Sequence, residues 1–298
     1  MHNRLGKRQK KVKRLHLSMN RKEIPLGVER IEKNIRGDAG HLGENKYSQI
    51  KVATFYLLFW RNGILLSMND DQLHMRLRAA CERAAHKMGL LIEGERLDLL
   101  QNYAEELRLW NKAYNLVGRK IGTEGLIDLF VDALTPLCVK GLLDGRKEVL
   151  DIGSGAGLPG VPLYIVAGPF PLTMVESQRK KITFLRHTAR KLGLEDAKAY
   201  AGRMEDMSRQ EDYLNAYEVG LARAVMDPLR LIRLARPFIC EGGRLVVFVG
   251  KADGDRIRRA SPDLRLKGAE LEALRSTRRI TGKDNFLAVI RKTEAMAG

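Results

Sequence analysis

The chain has 298 residues, 44% of them hydrophobic, which is enough for one sizeable α/β core and a small accessory region but not for two full enzyme domains. Its 53 Lys and Arg against 36 Asp and Glu leave a formal charge of +17, which favours a polyanion over an acidic protein as partner. Cys81, Cys138 and Cys240 lie far apart with no C-x-x-C pair, so neither a disulfide framework nor a metal site is expected.

In chain order, residues 1–67 hold 15 basic and 5 acidic side chains, which puts +10 of the charge in this stretch and +7 in residues 68–298. GKRQKKVKR at 6–14 has the composition of an RNA-binding arm. The apolar run from Val52 to Trp60 is too short to span a bilayer, and the first 15 residues are basic rather than apolar, unlike a signal peptide. Residues 1–67 are therefore expected to be a basic, disordered leader or start-site extension, with the functional chain starting at or near Met68. A cytoplasmic location with no membrane partner is expected.

MNDDQLHMRLRAACERA, from Met68, reads as an amphipathic helix with Asn69 or Asp70 as its N-cap. It opens a helical region, 68–145, in which Leu97, Leu99, Leu100, Tyr103, Leu107 and Trp110 recur at helical spacing and predict an apolar face packed on a sheet domain. In WNKAYNLVGRK, 110–120, the donors Asn111, Lys112, Asn115, Arg119 and Lys120 stand among two aromatics. That mixture suits an RNA surface and equally suits an interdomain loop.

VLDIGSGAGLPG, 149–160, joins an apolar strand to a glycine-rich turn and a helix, as a nucleoside-cofactor loop does. Gly153, Gly155 and Gly157 can take positive φ and let a ligand approach the backbone. A second apolar run, 171–175, ends in Glu176, where a parallel neighbour would set a carboxylate beside a ribose. Gly155, Gly157 and Gly160 also spell the dinucleotide pattern G-x-G-x-x-G. Pro159, however, removes an amide donor where a pyrophosphate would need one. The D-x-G-x-G-x-G arrangement from Asp151 to Gly157 resembles instead the first motif of S-adenosylmethionine-dependent methyltransferases, in which the acid faces the cationic methionine end.

Apolar runs at 149–152, 172–176, 197–201, 219–222, 244–249 and 286–290 alternate with helical patterns such as 179–192 and 228–238. The alternation predicts, for residues 146–298, a Rossmann-like α/β domain with parallel strands and helices on both faces, its ligand beyond the strands' carboxyl ends. Asp151, Glu176, Met204, Glu205 and Arg223 fall at those ends.

WNKAYNL (110–116), DIGSGAGLPGVPL (151–163), ESQRKKITFLR (176–186), LARAV (221–225) and VFVGK (247–251) together resemble, in order and spacing, the glucose-inhibited division protein B family, over about residues 70–293. Members of that family are bacterial 16S rRNA guanine-N7 methyltransferases. The resemblance implies an S-adenosyl-L-methionine cofactor contacted by Gly153, Leu158, Met204, Glu205 and Arg223, and a guanosine of 16S rRNA as target, within the small subunit or free. Where the family commonly has an Arg-His pair, this chain has Asp128-Leu129, followed by Asp132 and Ala133; only the Asp of a following Asp-Ser is kept. A family histidine near the last strand is replaced by Asn285-Phe286-Leu287.

The chemistry is consistent with that resemblance. Exocyclic-amine methylation usually shows Asp or Asn before Pro-Pro and an aromatic at the fourth strand, where this chain has Leu221-Ala-Arg-Ala224; no Pro-Cys pair offers a nucleophile for pyrimidine C5. Guanine N7 presents its lone pair without proton abstraction, so orientation suffices. Arg223, at the fourth strand's end, is the catalytic candidate, as a bidentate donor to the methionine carboxylate or the target guanosine, or alternatively a structural ion pair with Asp151 or Glu205. Lys180, Lys181 and Arg186 form a basic helix face, which is either simply solvated or, at Lys180, offered to RNA, and Lys251 follows a strand end where an rRNA phosphate can lie. Two other functions fit the same fold: an RNA-binding or assembly protein without turnover, and a small-molecule methyltransferase.

Overall fold

The computed structural model describes residues 68–145 and 147–295, which fall in one compact unit, Ser67–Gly298. The leader and start-site expectations for 1–67 lie outside the described residues. Seven strands form one sheet in the order β3-β2-β1-β4-β5-β7-β6. β1 (Val149–Ile152) is parallel to β2 (Leu172–Glu176) and to β4 (Tyr217–Arg223); β3 (Ala197–Ala201) lies outside β2, and β5 (Ile239–Gly250) outside β4. All four residues of β1 are buried, as expected of a parallel strand covered on both faces. Ile152 pairs with both Val175 and Ala222, so the carboxyl ends of β1, β2 and β4 lie level where the strand order reverses, the place an open α/β sheet offers a ligand.

The expected strands are all present, and parallel pairing holds for β1 to β5. β7 (Asn285–Lys292) instead runs antiparallel to both β5 and β6 (Ala269–Ser276). The link from β6 to β7 carries only the four-residue helix Arg278–Thr281, too short for a parallel crossover. β6, AELEALRS, was not among the expected strands: it is an edge strand, and its charged residues interrupt the apolar run that marks the others.

Helices α1 (Met68–Lys87), α2 (Gly94–Tyr114) and α3 (Thr123–Leu134) cover one face. Asn69 and Asp70, expected as caps, lie inside α1. Leu97, Leu100, Tyr103 and Leu107 are fully buried in a core shared with Val149, Leu172 and Met174 of the sheet, while Leu99 and Trp110 pack at its rim. α4 (Gly160–Ala167) and α5 (Arg179–Lys191) follow β1 and β2. α6 (Met204–Met207) follows β3, and α7 (Pro228–Ala235) packs Leu231 and Ile232 on the other face, against Leu150 and Ile152. The helix expected to run to 238 stops at Ala235, and Pro237 turns the chain through a short 3-10 segment. Among the described residues no helix is long and apolar enough to cross a membrane.

Candidate functional site

The loop after β1 is built by its glycines. Gly153, Gly155 and Gly157 have φ of +65°, +61° and +89°. A β-carbon on Gly153 would meet Val225 at 2.8 Å, and one on Gly157 would meet Val161 at 2.7 Å and Leu185 at 3.1 Å, so both positions are closed by the protein itself. Gly155 differs, because a β-carbon there would find only the Gly153 carbonyl oxygen, at 3.9 Å. Its bare backbone faces open space.

Glu176, at the end of β2, reaches across to this loop. Its Oε2 accepts the Gly155 N–H at 3.1 Å, and Oε1 accepts the N–H groups of Ser177 and Gln178 at 2.8 Å each; Lys181 Nζ lies 3.9 Å from Oε2. The side chain is 7% exposed; Oε1 is filled by its two N–H donors, while Oε2 accepts only the Gly155 N–H and keeps a lone pair for a ligand.

Asp151 occupies a different place from the one expected. It is fully buried beneath the loop, where Oδ2 accepts the Gly160 N–H at 3.1 Å and Oδ1 has no hydrogen-bond partner. It therefore anchors the start of α4 rather than facing the crevice. A β-carbon on Gly160 would lie 2.6 Å from Oδ2, so the third glycine of the apparent dinucleotide pattern exists to admit this carboxyl, not a phosphate. Burial pushes the carboxyl up from 3.8 to about 7, against the opposing pull of the Gly160 N–H. Between those values the native state holds a proton that the unfolded chain releases, so stability falls as pH rises through the window and the loss is complete above the folded value. Asp151→Asn stays neutral and keeps an acceptor for Gly160. It is expected to flatten this part of the profile, and equal slopes for both proteins in urea titrations across the window would contradict the assignment.

Arg223 ends β4, and its Nε donates to Asp132 Oδ2 on α3 at 2.9 Å. The ion pair foreseen with Asp151 or Glu205 is thus made with Asp132. Burial raises the Asp132 pKa and the Arg223 charge opposes the rise. Ala224, next in the chain, has φ +52°, which turns the backbone so that Val225 covers Gly153. Leu158 and Met204 are nearly buried, Met204 at the start of α6; Glu205 beside it is half exposed and 3.9 Å from Arg230.

Two contributors were not legible as functional. Tyr103 of α2 is fully buried and donates its hydroxyl to the Ala156 carbonyl at 2.5 Å, tying the helical layer to the glycine loop. Burial holds this phenol well above its ordinary pKa, so it remains a donor. Its only signal was a hydroxyl at a core-spaced position, which needs a buried partner. Asp132 sits 91 residues from Arg223, and only its retention from the family motif hinted at a role.

Of the proposed RNA contacts, Asn111 is corrected: it is 8% exposed, donates from Nδ2 to the Gly118 carbonyl and accepts the Val117 N–H at Oδ1, both at 2.9 Å. It closes the turn after α2. Lys112, Asn115, Arg119 and Lys120 are exposed around that turn, Asn115 with φ +52° at the helix end. Lys180 lies 5.8 Å over the Tyr114 ring, and Lys251 is exposed just past the carboxyl end of β5. Asp128, where the family has its basic pair, bonds Lys283 at 2.7 Å, and Leu129 packs against the core.

Known proteins resemble this sequence. It is 36% identical over 163 residues to "Ribosomal RNA small subunit methyltransferase G" of Oenococcus oeni, covering 55% of this chain and 67% of that protein. It is 37% identical over 185 residues to the protein of the same name from Deinococcus deserti (61% and 75% covered) and 32% identical over 217 residues to that of Pelotomaculum thermopropionicum (72% and 90%). The sequence profile described as "rRNA small subunit methyltransferase G" (GidB) matches residues 96–282. A match over more than half of its length, on top of the glycine loop, Glu176 and Arg223, means that the chain belongs to the rRNA small subunit methyltransferase G (GidB) family.

Proposed function

We propose that the crevice above β1, β2 and β4 binds S-adenosylmethionine through Glu176, the 153–158 backbone, Met204, Glu205 and Arg223, and that the chain acts in the cytoplasm on 16S rRNA within the small subunit. Its activity is S-adenosylmethionine-dependent methylation of guanine N7 in 16S rRNA. The observation that carries the site assignment is the open face of Gly155 beside the Glu176 carboxylate. The residues fit the cofactor: a carboxylate oxygen, Glu176 Oε2, with a free lone pair for a ribose hydroxyl, a backbone left open at Gly155, and a fixed guanidinium for a carboxylate. When bound, the cofactor supplies a sulfonium methyl that the N7 lone pair attacks, the C–S electrons staying on sulfur and the purine becoming cationic.

The protein's own work is then orientation and charge placement. Glu176 and the loop fix one another through the Gly155 hydrogen bond, and Tyr103 fixes the same loop from the helical side. Asp132 holds Arg223 at the strand end, where the guanidinium can bind the methionine carboxylate or the target guanosine. Residues 68–145 thereby serve as a helical platform for the cofactor-binding domain, 146–298.

Glu176→Ala removes a charged acceptor and is expected to weaken S-adenosylmethionine binding by about 1.5 to 3 kcal/mol, roughly 10- to 150-fold in Kd. Unchanged affinity by calorimetry would remove Glu176 from the ribose site. Methyl transfer to purified small subunits, to naked 16S rRNA and to small metabolites, run side by side, tests the substrate. Transfer best to subunits is expected, and preferential transfer to a metabolite would overturn it.

A further inference from the structure

We infer that the outward face of α5 and the groove at its end form a second rRNA site, a track for backbone phosphates leading from the crevice to the β3 edge of the sheet. The inference rests on the rRNA reading above and extends its footprint beyond the reacting nucleotide.

α5 has the sequence RKKITFLRHTARK, with no acidic residue. Arg179, Thr183, Arg186 and Arg190 are spaced 4, 3 and 4 residues apart, so they share one face and span about 16 Å of helix. All four are exposed, and the three arginine side chains make no ion pair or side-chain hydrogen bond among the described residues. The side of α5 turned toward α2 differs in this respect, because His187 and Lys191 there are both paired with Glu106 of α2. The outward cations are therefore not serving the fold.

The stripe starts beside Glu176, at the crevice, where Lys180 stacks on Tyr114. It ends at an open groove of about 520 Å³ between α5 and the edge strand β3, where Lys198 joins Arg186 and Arg190 against a single carboxylate, Glu195. Lys198 is likewise exposed and unpaired among the described residues. A row of arginines with no acid among them suits regularly spaced phosphates, which arginine binds bidentately. Cations on the helix that follows β5, Lys251–Arg259, by contrast, stand among acids: Arg258 pairs with Asp255, and Arg256 with Asp227 and Asp253.

The test compares the full chain with the triple variant Arg186→Ala/Arg190→Ala/Lys198→Ala and a control of equal charge loss, Arg259→Ala/Arg265→Ala/Lys267→Ala. Binding to protein-free 16S rRNA is measured across salt concentrations, with KM and kcat for methyl transfer and calorimetric S-adenosylmethionine affinity alongside. Removing the groove cations should make the log–log salt dependence of rRNA binding shallower by about 2. It should raise the rRNA KM and leave kcat and cofactor affinity unchanged, while the control keeps the wild-type slope. A triple variant with the wild-type slope and KM would overturn the inference. So would a defect on whole subunits that is absent on protein-free rRNA, which would identify an acidic ribosomal protein as the partner. Failure of the rRNA reading itself would appear separately, as a wild-type chain that neither binds nor methylates 16S rRNA.

Discussion

Gly155→Leu is expected to abolish S-adenosylmethionine binding and methyl transfer while leaving the protein folded. The native φ of +61° makes any side chain there cost about 1 to 2 kcal/mol, but beyond its own chain neighbours the added β-carbon would meet only the Gly153 carbonyl oxygen, at 3.9 Å. The side chain must therefore project into the space assigned to the cofactor, and forcing such an overlap should raise Kd by about 100-fold or more. Gly157→Leu is the informative contrast. Its β-carbon would meet Val161 at 2.7 Å, Leu185 at 3.1 Å and the Tyr103 hydroxyl at 3.3 Å, all inside the protein. It should lose about 2 to 5 kcal/mol of stability through backbone strain and overpacking together. Calorimetry and urea unfolding of both variants separate the two effects. Equal destabilisation with retained binding in Gly155→Leu would place the ligand elsewhere.

Arg223→Ala should reduce kcat by roughly 100- to 1000-fold, the usual cost of losing one preorganised donor at a reacting centre. The arginine also bridges β4 to α3, so its removal leaves the Asp132 carboxyl, 15% exposed, without its cation. That should cost about 1 to 3 kcal/mol of stability, softened because burial already raises the Asp132 pKa and lets it take a proton. The double variant Arg223→Ala/Asp132→Ala removes the stranded acid. It should recover stability without recovering activity, which separates the chemical role of Arg223 from its structural one. Wild-type turnover in Arg223→Ala would exclude it from the reaction centre.

The legible parts of this protein are those where one residue's environment follows from its near neighbours. β1 to β5 announce themselves as apolar runs between helical patterns, and the positive φ of Gly153, Gly155 and Gly157 follows from a tight strand-to-helix turn. Glu176 also lies where strand pairing places it, against the loop. What escaped depends on contacts distant in sequence. Nothing local to Asn111 says that its amide is spent on the Gly118 carbonyl and the Val117 N–H rather than offered to RNA. The motif places Asp151 beside the loop, but only packing decides that it lies underneath, bonded to Gly160. The Arg223–Asp132 pair and the Tyr103–Ala156 bond join segments 91 and 53 residues apart. β6 escaped for another reason: an edge strand buries little, so its residues need not be apolar.

The most direct test of the account locates the transferred methyl. N7 methylation leaves a cationic purine that is reduced by borohydride and then cleaved at the sugar by aniline, so the modified position is read as a strand break. Incubation of the full chain with S-adenosylmethionine and 16S rRNA lacking the modification should produce a cofactor-dependent break at a guanosine, absent with Gly155→Leu and nearly absent with Arg223→Ala. Recovery of the methyl group on a ribose oxygen or an exocyclic amine, with no break at any guanosine, would contradict it.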